Sequence, residues 1–284
     1  MVHQLAMYMI RGNLAAKLKK TLFIGGNMWR RPSVRIRCVD IARHLGCHHH
    51  LLAQSAAEIS RDYSIFICVK PEMSLKELAK LSQLGTVIWD VIDVLPPHEN
   101  ISAYITSTSK VQNMITSMGS AFLIPHHHCN DQAQYRSSSC RTLGWIGHRH
   151  WCPDLREIEF KRYYIEGMTR SEVARAHLEF DIGLNLRAVR KKQESHINLN
   201  SGIKLINCIG FGLPSISSDE PAYHEFGSDC TLFTTLENCG PSIHSLQNDE
   251  ALYHKMRSNC IARAPQFHIE TIANRYKHLI DSVA

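Results

Sequence analysis

The sequence predicts a two-domain α/β protein with a parallel sheet in each domain. Three observations carry that prediction. Short, uninterrupted apolar runs such as Thr21–Gly25 and Ile65–Val69 recur along the chain. Stretches with helical apolar spacing separate them. A polar, serine-rich stretch, Asp131–Ser139, divides the series in two. A continuous apolar run suits a strand covered on both faces, and strand–helix alternation implies parallel pairing.

The first series begins with the strand Thr21–Gly25. It runs into a turn at Gly25 and Gly26 and a basic loop, Asn27–Pro32. Over 33–46, Val34, Cys38, Ile41 and Leu45 fall on one helical face. Ser33 is placed to cap this helix and Gly46 to stop it. Ser55–Arg61 reads as a short helix and Ile65–Val69 as a buried strand. Ser74–Gly85 has a serine cap and a glycine stop, and Thr86–Val94 is the next strand. Ser102–Ile105 (strand), Val111–Met118 (helix) and Ala121–Ile124 (strand) complete the first domain, expected over 1–135.

The second domain, expected over 136–284, opens with the strand Thr142–Gly147. Arg156–Tyr164 reads as strand, Arg170–Leu178 as helix and Phe180–Leu186 as strand. Ala188–Asn200 is a polar, basic loop. A helix at 202–211 and a strand at Pro214–Ser217 follow. Asp249–Ser282 reads as two amphipathic helices.

Composition excludes several classes. Of 284 residues, 44% are hydrophobic, enough for packed cores rather than a disordered chain. The net charge of +6 is mild and dispersed; it suits a small anionic ligand and not nucleic acid. No apolar run approaches the roughly 20 residues of a membrane span. The start, MVHQLAMYMIRGNLAAKLKK, lacks the apolar core and cleavage site of a secretory signal. It reads as an amphipathic helix whose lysines allow weak peripheral contact with an inner membrane face. Ten scattered cysteines without a C-x-x-C pair indicate reduced, buried thiols, hence a cytoplasmic protein.

Ligands of open parallel sheets sit at the carboxyl ends of the strands, so the loops there hold the candidate residues. The strongest segment is Ser201–Ile216, SGIKLINCIGFGLPSI. Ser201 can cap a helix whose first turn holds Gly202 and Lys204. Unpaired N–H groups at a helix start favour an anion, glycine admits it to the backbone, and lysine adds charge. Asn207 shares that face one turn deeper. Asp90 and Asp93 end a strand; one can position or deprotonate an acceptor, or both can serve as cap and ion pair. Arg35 and Arg37 follow the first glycine turn and can meet phosphate or remain a solvated basic face. Cys47–His50 and His126–Cys129 are histidine clusters. Adjacent side chains diverge, so neither is expected to hold a metal. His126 and His127 follow the last strand of the first domain and can contact acceptor or phosphate.

These residues also carry a family resemblance. K-x-x-N-x-x-x-x-G-x-P-x-I (Lys204 to Ile216), followed by Y-x-E (Tyr223 and Glu225), resembles the donor-binding half of GT-B glycosyltransferases of the "group 1" class. Phe23–Gly26 with Ser33–Arg37 resembles the opening strand, glycine turn and S-x-R-x-R helix start of some members. Gly85–Asp93, Leu123–His126 and Thr142–Gly147 resemble further segments in the same order. The resemblance implies two Rossmann-like domains facing an interdomain cleft. It implies transfer of a sugar from a nucleoside diphosphate sugar to a glycan or lipid-linked acceptor hydroxyl, with retention. No metal or cofactor is expected beyond that co-substrate. Ser201, Gly202, Lys204, Asn207, Arg149 and Glu225 would bind the donor. Gly25, Gly26, Arg35 and Arg37 would form an acceptor or phosphate loop, with Asp90, Asp93, His126 and His127 near the chemistry.

Three positions depart from the pattern. His148 stands where many members have the arginine after the glycine, with Arg149 next. Asn207 and Leu199 stand where many have two glutamates eight apart. The missing glutamate, with a second domain short between residues 150 and 180, gives the first rival reading, a catalytically weakened nucleotide-sugar-binding protein. An α/β oxidoreductase would need G-x-G-x-x-G after the first strand; Gly25–Arg30 lacks it. A histidine-rich metal-binding protein is the third.

Overall fold

The computed structural model describes residues 13–27, 32–51, 61–92, 99–135, 141–155, 158–188 and 199–283. The chain forms two compact units. One comprises Met1–Pro125 with Ile272–Ala284, the other His126–Thr271. The sequence places the division at 135/136. It falls after Pro125 because the segment beginning at His126 is tied into the second unit by hydrogen bonds described below. The last helix returns to the first unit.

The first unit is built on a parallel sheet with strand order β2-β1-β3-β4-β5-β6. The strands are β1 (Thr21–Gly25), β2 (His48–Leu51), β3 (Ile65–Val69), β4 (Thr86–Val91), β5 (Ala103–Thr106) and β6 (Ala121–Leu123). β1 and β3 are buried at every position, as their unbroken apolar sequences require. Leu22, Ile24, Phe66, Cys68 and Val87 pack against Leu78 and Leu81 of the Leu75–Leu84 helix. That helix starts with a reciprocal capping box between Ser74 and Glu77.

β2 is built from His48, His49, His50 and Leu51, read from sequence only as a histidine cluster. It pairs with β1 from Leu22↔His48 to Gly25↔Leu51. An edge strand is half solvated, so it carries no apolar run to betray it. The helix after β1 begins at Pro32, not after a Ser33 cap. Pro32–Val34, Arg35–Asp40 and Ile41–Leu45 run on continuously, the middle part with π-helical bonding. Gly46 ends it in the left-handed conformation at φ 69°. The helix expected at Ser55–Arg61 falls almost wholly outside the described residues. So do most of the amphipathic start and half of the Asp131–Ser139 stretch; residues 13–19 are helical.

The second unit holds a parallel sheet with order β11-β10-β9-β7-β8. Its strands are β7 (Leu143–Gly147), β8 (Lys161–Tyr164), β9 (Ile182–Asn185), β10 (Ser215–Ser217) and β11 (Thr231–Phe233). β8 is shorter than the expected Arg156–Tyr164. Leu143, Trp145, Ile182, Leu184 and Ile216 form its core with Ile243, Leu246, Tyr253 and Met256 from the helices Cys239–Asn248 and Glu250–Arg263. β11, Pro221–Gly227 and Cys239–Asn248 are short or weakly patterned and were not evident from sequence. Among the described residues, no helix is long and apolar enough to cross a membrane.

Candidate functional site

In the second unit, β7 and the loops after the adjacent strands β9 and β10 bring an aromatic ring together with a largely buried set of charges. Arg187 lies two residues beyond β9, Glu220 three beyond β10, and Trp145 in the middle of β7. Lys204 reaches them from the first turn of the Ile203–Gly210 helix. Carboxyl ends of parallel strands are where such sheets bind ligands.

The Lys204 ammonium is withdrawn from solvent and has no hydrogen-bond partner among the described residues. It lies 4.3 Å from the centroid of the Trp145 ring. Burial, and then the charge of Arg187, lower its pKa from 10.5 to about 7, with Glu220 opposing. Glu220 is itself buried. Its Oε1 is 3.4 Å from Arg187 Nε, and Asn200 donates to its Oε2. Burial pushes the Glu220 carboxyl up, and Arg187 opposes this. Arg187 also donates to the Tyr223 hydroxyl at 3.3 Å. Two basic groups thus share one carboxylate, an arrangement that favours an added anion.

The helix start differs from expectation in one detail. Gly202, not Ser201, occupies the cap position, at φ 67° and without a side-chain cap. Ser201 is buried beside it. The Gly202 N–H donates to Asn200 Oδ1 at 3.3 Å. A Cβ on Gly202 would lie 2.6 Å from the Phe226 ring. Gly202→Ala is therefore expected to cost about 1–3 kcal/mol in urea unfolding, from left-handed backbone and ring displacement together. A loss within 0.3 kcal/mol of zero would contradict that geometry.

The remaining donor candidates lie differently. Asn207 accepts the Cys129 N–H on its Oδ1 at 3.1 Å, so its carbonyl oxygen pins the His126–Asn130 segment. Arg149 is exposed, its guanidinium 4.5 Å over the Tyr164 ring. The Arg149 backbone N–H donates to Glu166 Oε1 at 2.9 Å, and that oxygen is 3.3 Å from His148 Nδ1. Glu225 faces outward on the Pro221–Gly227 helix, whereas Glu220, just before that helix, is the acid near Lys204. Sequence reasoning passed over Glu220 and Arg187. The usable signal was an acid before a proline at a helix start, directly after a strand.

His126 and His127 are buried in the second unit. Arg170 donates to His127 Nδ1 at 2.8 Å and to the His128 carbonyl at 2.7 Å. His128 accepts the Asn130 N–H on Nδ1, so its Nε2–H donates to the Ala264 carbonyl at 3.2 Å. Burial and then His268 lower its pKa to about 4, which leaves it neutral. Gly210 is glycine because a Cβ would lie 2.5 Å from the His128 ring. These bonds make His127 and His128 an internal brace. Among the described residues, no three His, Cys, Asp or Glu side chains are grouped to hold a metal.

The first unit joins two other candidates. Arg37 Nε donates to Asp90 Oδ2 at 2.6 Å, and Arg37 Nη1 to the Ile124 carbonyl at 2.8 Å. Tyr276 of the last helix donates to the same Asp90 oxygen at 3.2 Å. Both charged side chains have at most 1% exposure, so this is an internal ion pair. Burial disfavours both charges; the carboxylate beside Arg37 nevertheless keeps the guanidinium pKa raised. Arg35 lies at the surface, 3.4 Å from Asp40. Gly25 and Gly26 allow close packing: a Cβ on Gly25 would be 2.5 Å from Val34, and one on Gly26 would strike the Lys70 carbonyl. Asp93 lies outside the described residues.

No protein-family model matches the chain, and no curated protein is similar in sequence. Solved structures are similar in fold. Sucrose-phosphate synthase from Thermosynechococcus elongatus matches with a TM-score of 0.59 at 9% identity, over 92% of this chain and 98% of that one. AviGT4, a glycosyltransferase of avilamycin A biosynthesis, matches with a TM-score of 0.54 at 11% identity, over 93% and 97%. The N-terminal domain of Candida albicans trehalose-6-phosphate phosphatase matches with 0.52 at 8% identity, over 97% and 93%. At these identities the likeness is one of fold. The chain therefore has a GT-B-like fold of two Rossmann-like, parallel-sheet units.

Proposed function

We propose that the protein is a metal-independent glycosyltransferase that moves a sugar from a nucleoside diphosphate sugar to a glycan or lipid-linked hydroxyl. The observation that carries this reading is the buried Lys204 ammonium, without a hydrogen-bond partner among the described residues, near Arg187 at the strand ends of the second unit. When the bond from the anomeric carbon to the diphosphate breaks, negative charge grows on the leaving oxygen. Preorganised cations out of water stabilise such charge strongly. Lys204, with the Ile203–Leu205 amides at the helix start, would hold the phosphates, and Arg187 would add long-range positive charge. Retention of anomeric configuration and a cytoplasmic setting follow the sequence reading.

The test is incubation with a panel of uridine, guanosine and adenosine diphosphate sugars, following release of the free nucleoside diphosphate. Release that Lys204→Ala abolishes supports the reading. Binding of a donor without release favours the weakened, binding-only alternative suggested by Asn207 and Leu199. No binding of any donor contradicts both.

A further inference from the structure

Trp145 carries the ring on which the Lys204 ammonium lies. It is wholly buried on β7. Its indole N–H donates to the Leu186 carbonyl at 3.0 Å, which fixes the ring between the ends of β7 and β9. Tyr164 meets it edge-on, with centroids 6.3 Å apart. Residue 147, two positions on and so on the same face of the strand, is glycine. A Cβ there would lie 2.7 Å from Trp145 Cζ2 and 2.8 Å from Lys204 Nζ. The strand thus leaves a slot in which ring and ammonium meet.

The choice of an aromatic partner has a chemical consequence. A ring face attracts a cation without neutralising it. A carboxylate in hydrogen-bond contact would neutralise the ammonium and compete with an incoming anion. Lys204 has three N–H donors, and none is engaged by a described residue. We propose that Trp145 is a positioning residue for Lys204, its indole face holding the ammonium in place with the N–H groups available for a donor phosphate. This rests on the reading of Lys204 as the donor-phosphate cation.

The groups that act on Lys204 come from each neighbouring loop: Arg187 after β9, Glu220 after β10, Cys152 and His148 after β7, and Cys208 on its own helix. The empty-site ammonium loses its proton as pH rises through about 7. Terminal phosphates, with a second pKa of about 6, are already ionised there. Wild-type affinity for UDP, GDP or ADP should therefore fall between pH 7 and 9 as Lys204 deprotonates.

The experiment is calorimetric titration of UDP, GDP and ADP into the full chain at several pH values in that window. Trp145→Leu should bind about tenfold more weakly at pH 7, and its pH midpoint should move down. Trp145→Phe should restore most of both. Lys204→Arg should bind without a midpoint in this window, because arginine stays charged. If the Trp145 variants do not fold, growth on fluorotryptophan weakens the ring's π face at nearly constant shape, and affinity and midpoint should shift the same way. A folded Trp145→Leu, or a fluorinated protein, with unchanged affinity and midpoint overturns the proposal while Lys204→Ala still loses binding. If wild type binds no diphosphate, or Lys204→Ala binds equally, the functional reading falls and the proposal with it.

Discussion

Lys204→Ala is expected to weaken nucleoside diphosphate binding on the order of a hundredfold. Removing one member of a buried charge contact costs roughly 2–5 kcal/mol, and 1.4 kcal/mol is a factor of ten. The effect on the empty protein should have the opposite sign. A buried ammonium without a hydrogen-bond partner opposes folding. Lys204 holds its proton less tightly in the folded chain, at about 7 against 10.5. The unfolded chain therefore binds more protons between those values, and stability rises with pH across that window. Lys204→Met should raise the thermal midpoint at pH 7 and flatten that rise. A residue kept for function at a cost to stability shows this pairing. A variant that loses stability and keeps its ligand affinity would contradict it.

The second large effect belongs to the ion pair of the first unit. Asp90→Ala is expected to destabilise by about 3–5 kcal/mol, because it leaves the Arg37 guanidinium buried without its carboxylate. The partner removal matters more than the pair itself. Arg37→Met combined with Asp90→Leu should recover much of the loss. Tyr276→Phe should cost about 1.5–3 kcal/mol, the scale of a hydrogen bond to a charged group. Tyr276 lies on the Ile269–Val283 helix, whose Ile272, Ala273, Leu279 and Ile280 are also buried. The triad therefore helps seat the chain's last helix on the first unit. Urea titrations read all three variants. An Asp90→Ala loss below 1 kcal/mol would show that the pair is not sealed from water as its geometry indicates.

How much of this was legible in sequence varies by element. β1, β3, β4, β7 and β9 are central or nearly central strands, and their short, mostly apolar runs between helical stretches gave them away. β2 and β11 are edges, and an edge needs no such run. The Glu250–Arg263 and Ile269–Val283 helices were visible as amphipathic tails. What no local pattern could reveal was that the last one returns to the first unit. That depends on long-range partners, Asp90 for Tyr276 above all. The site was half legible. Lys204 and Gly202 stood out because helix starts with glycine and lysine suit anions. Arg187 and Glu220 did not, since each takes its importance from burial beside Lys204 rather than from a spacing. The histidine run at 126–128 drew attention through its chemistry. Arg170, Asn130 and the Ala264 carbonyl engage its second and third members as packing groups.

The most direct test of the central claim is a crystal structure of the protein with a bound nucleoside diphosphate. The account predicts a phosphate oxygen at about 2.7–2.9 Å from Lys204 Nζ, the distance of a charge-assisted hydrogen bond, with the Ile203–Leu205 amides facing the same group. A diphosphate bound elsewhere, with the Lys204 ammonium still lying on the Trp145 ring and touching no anion, would contradict it.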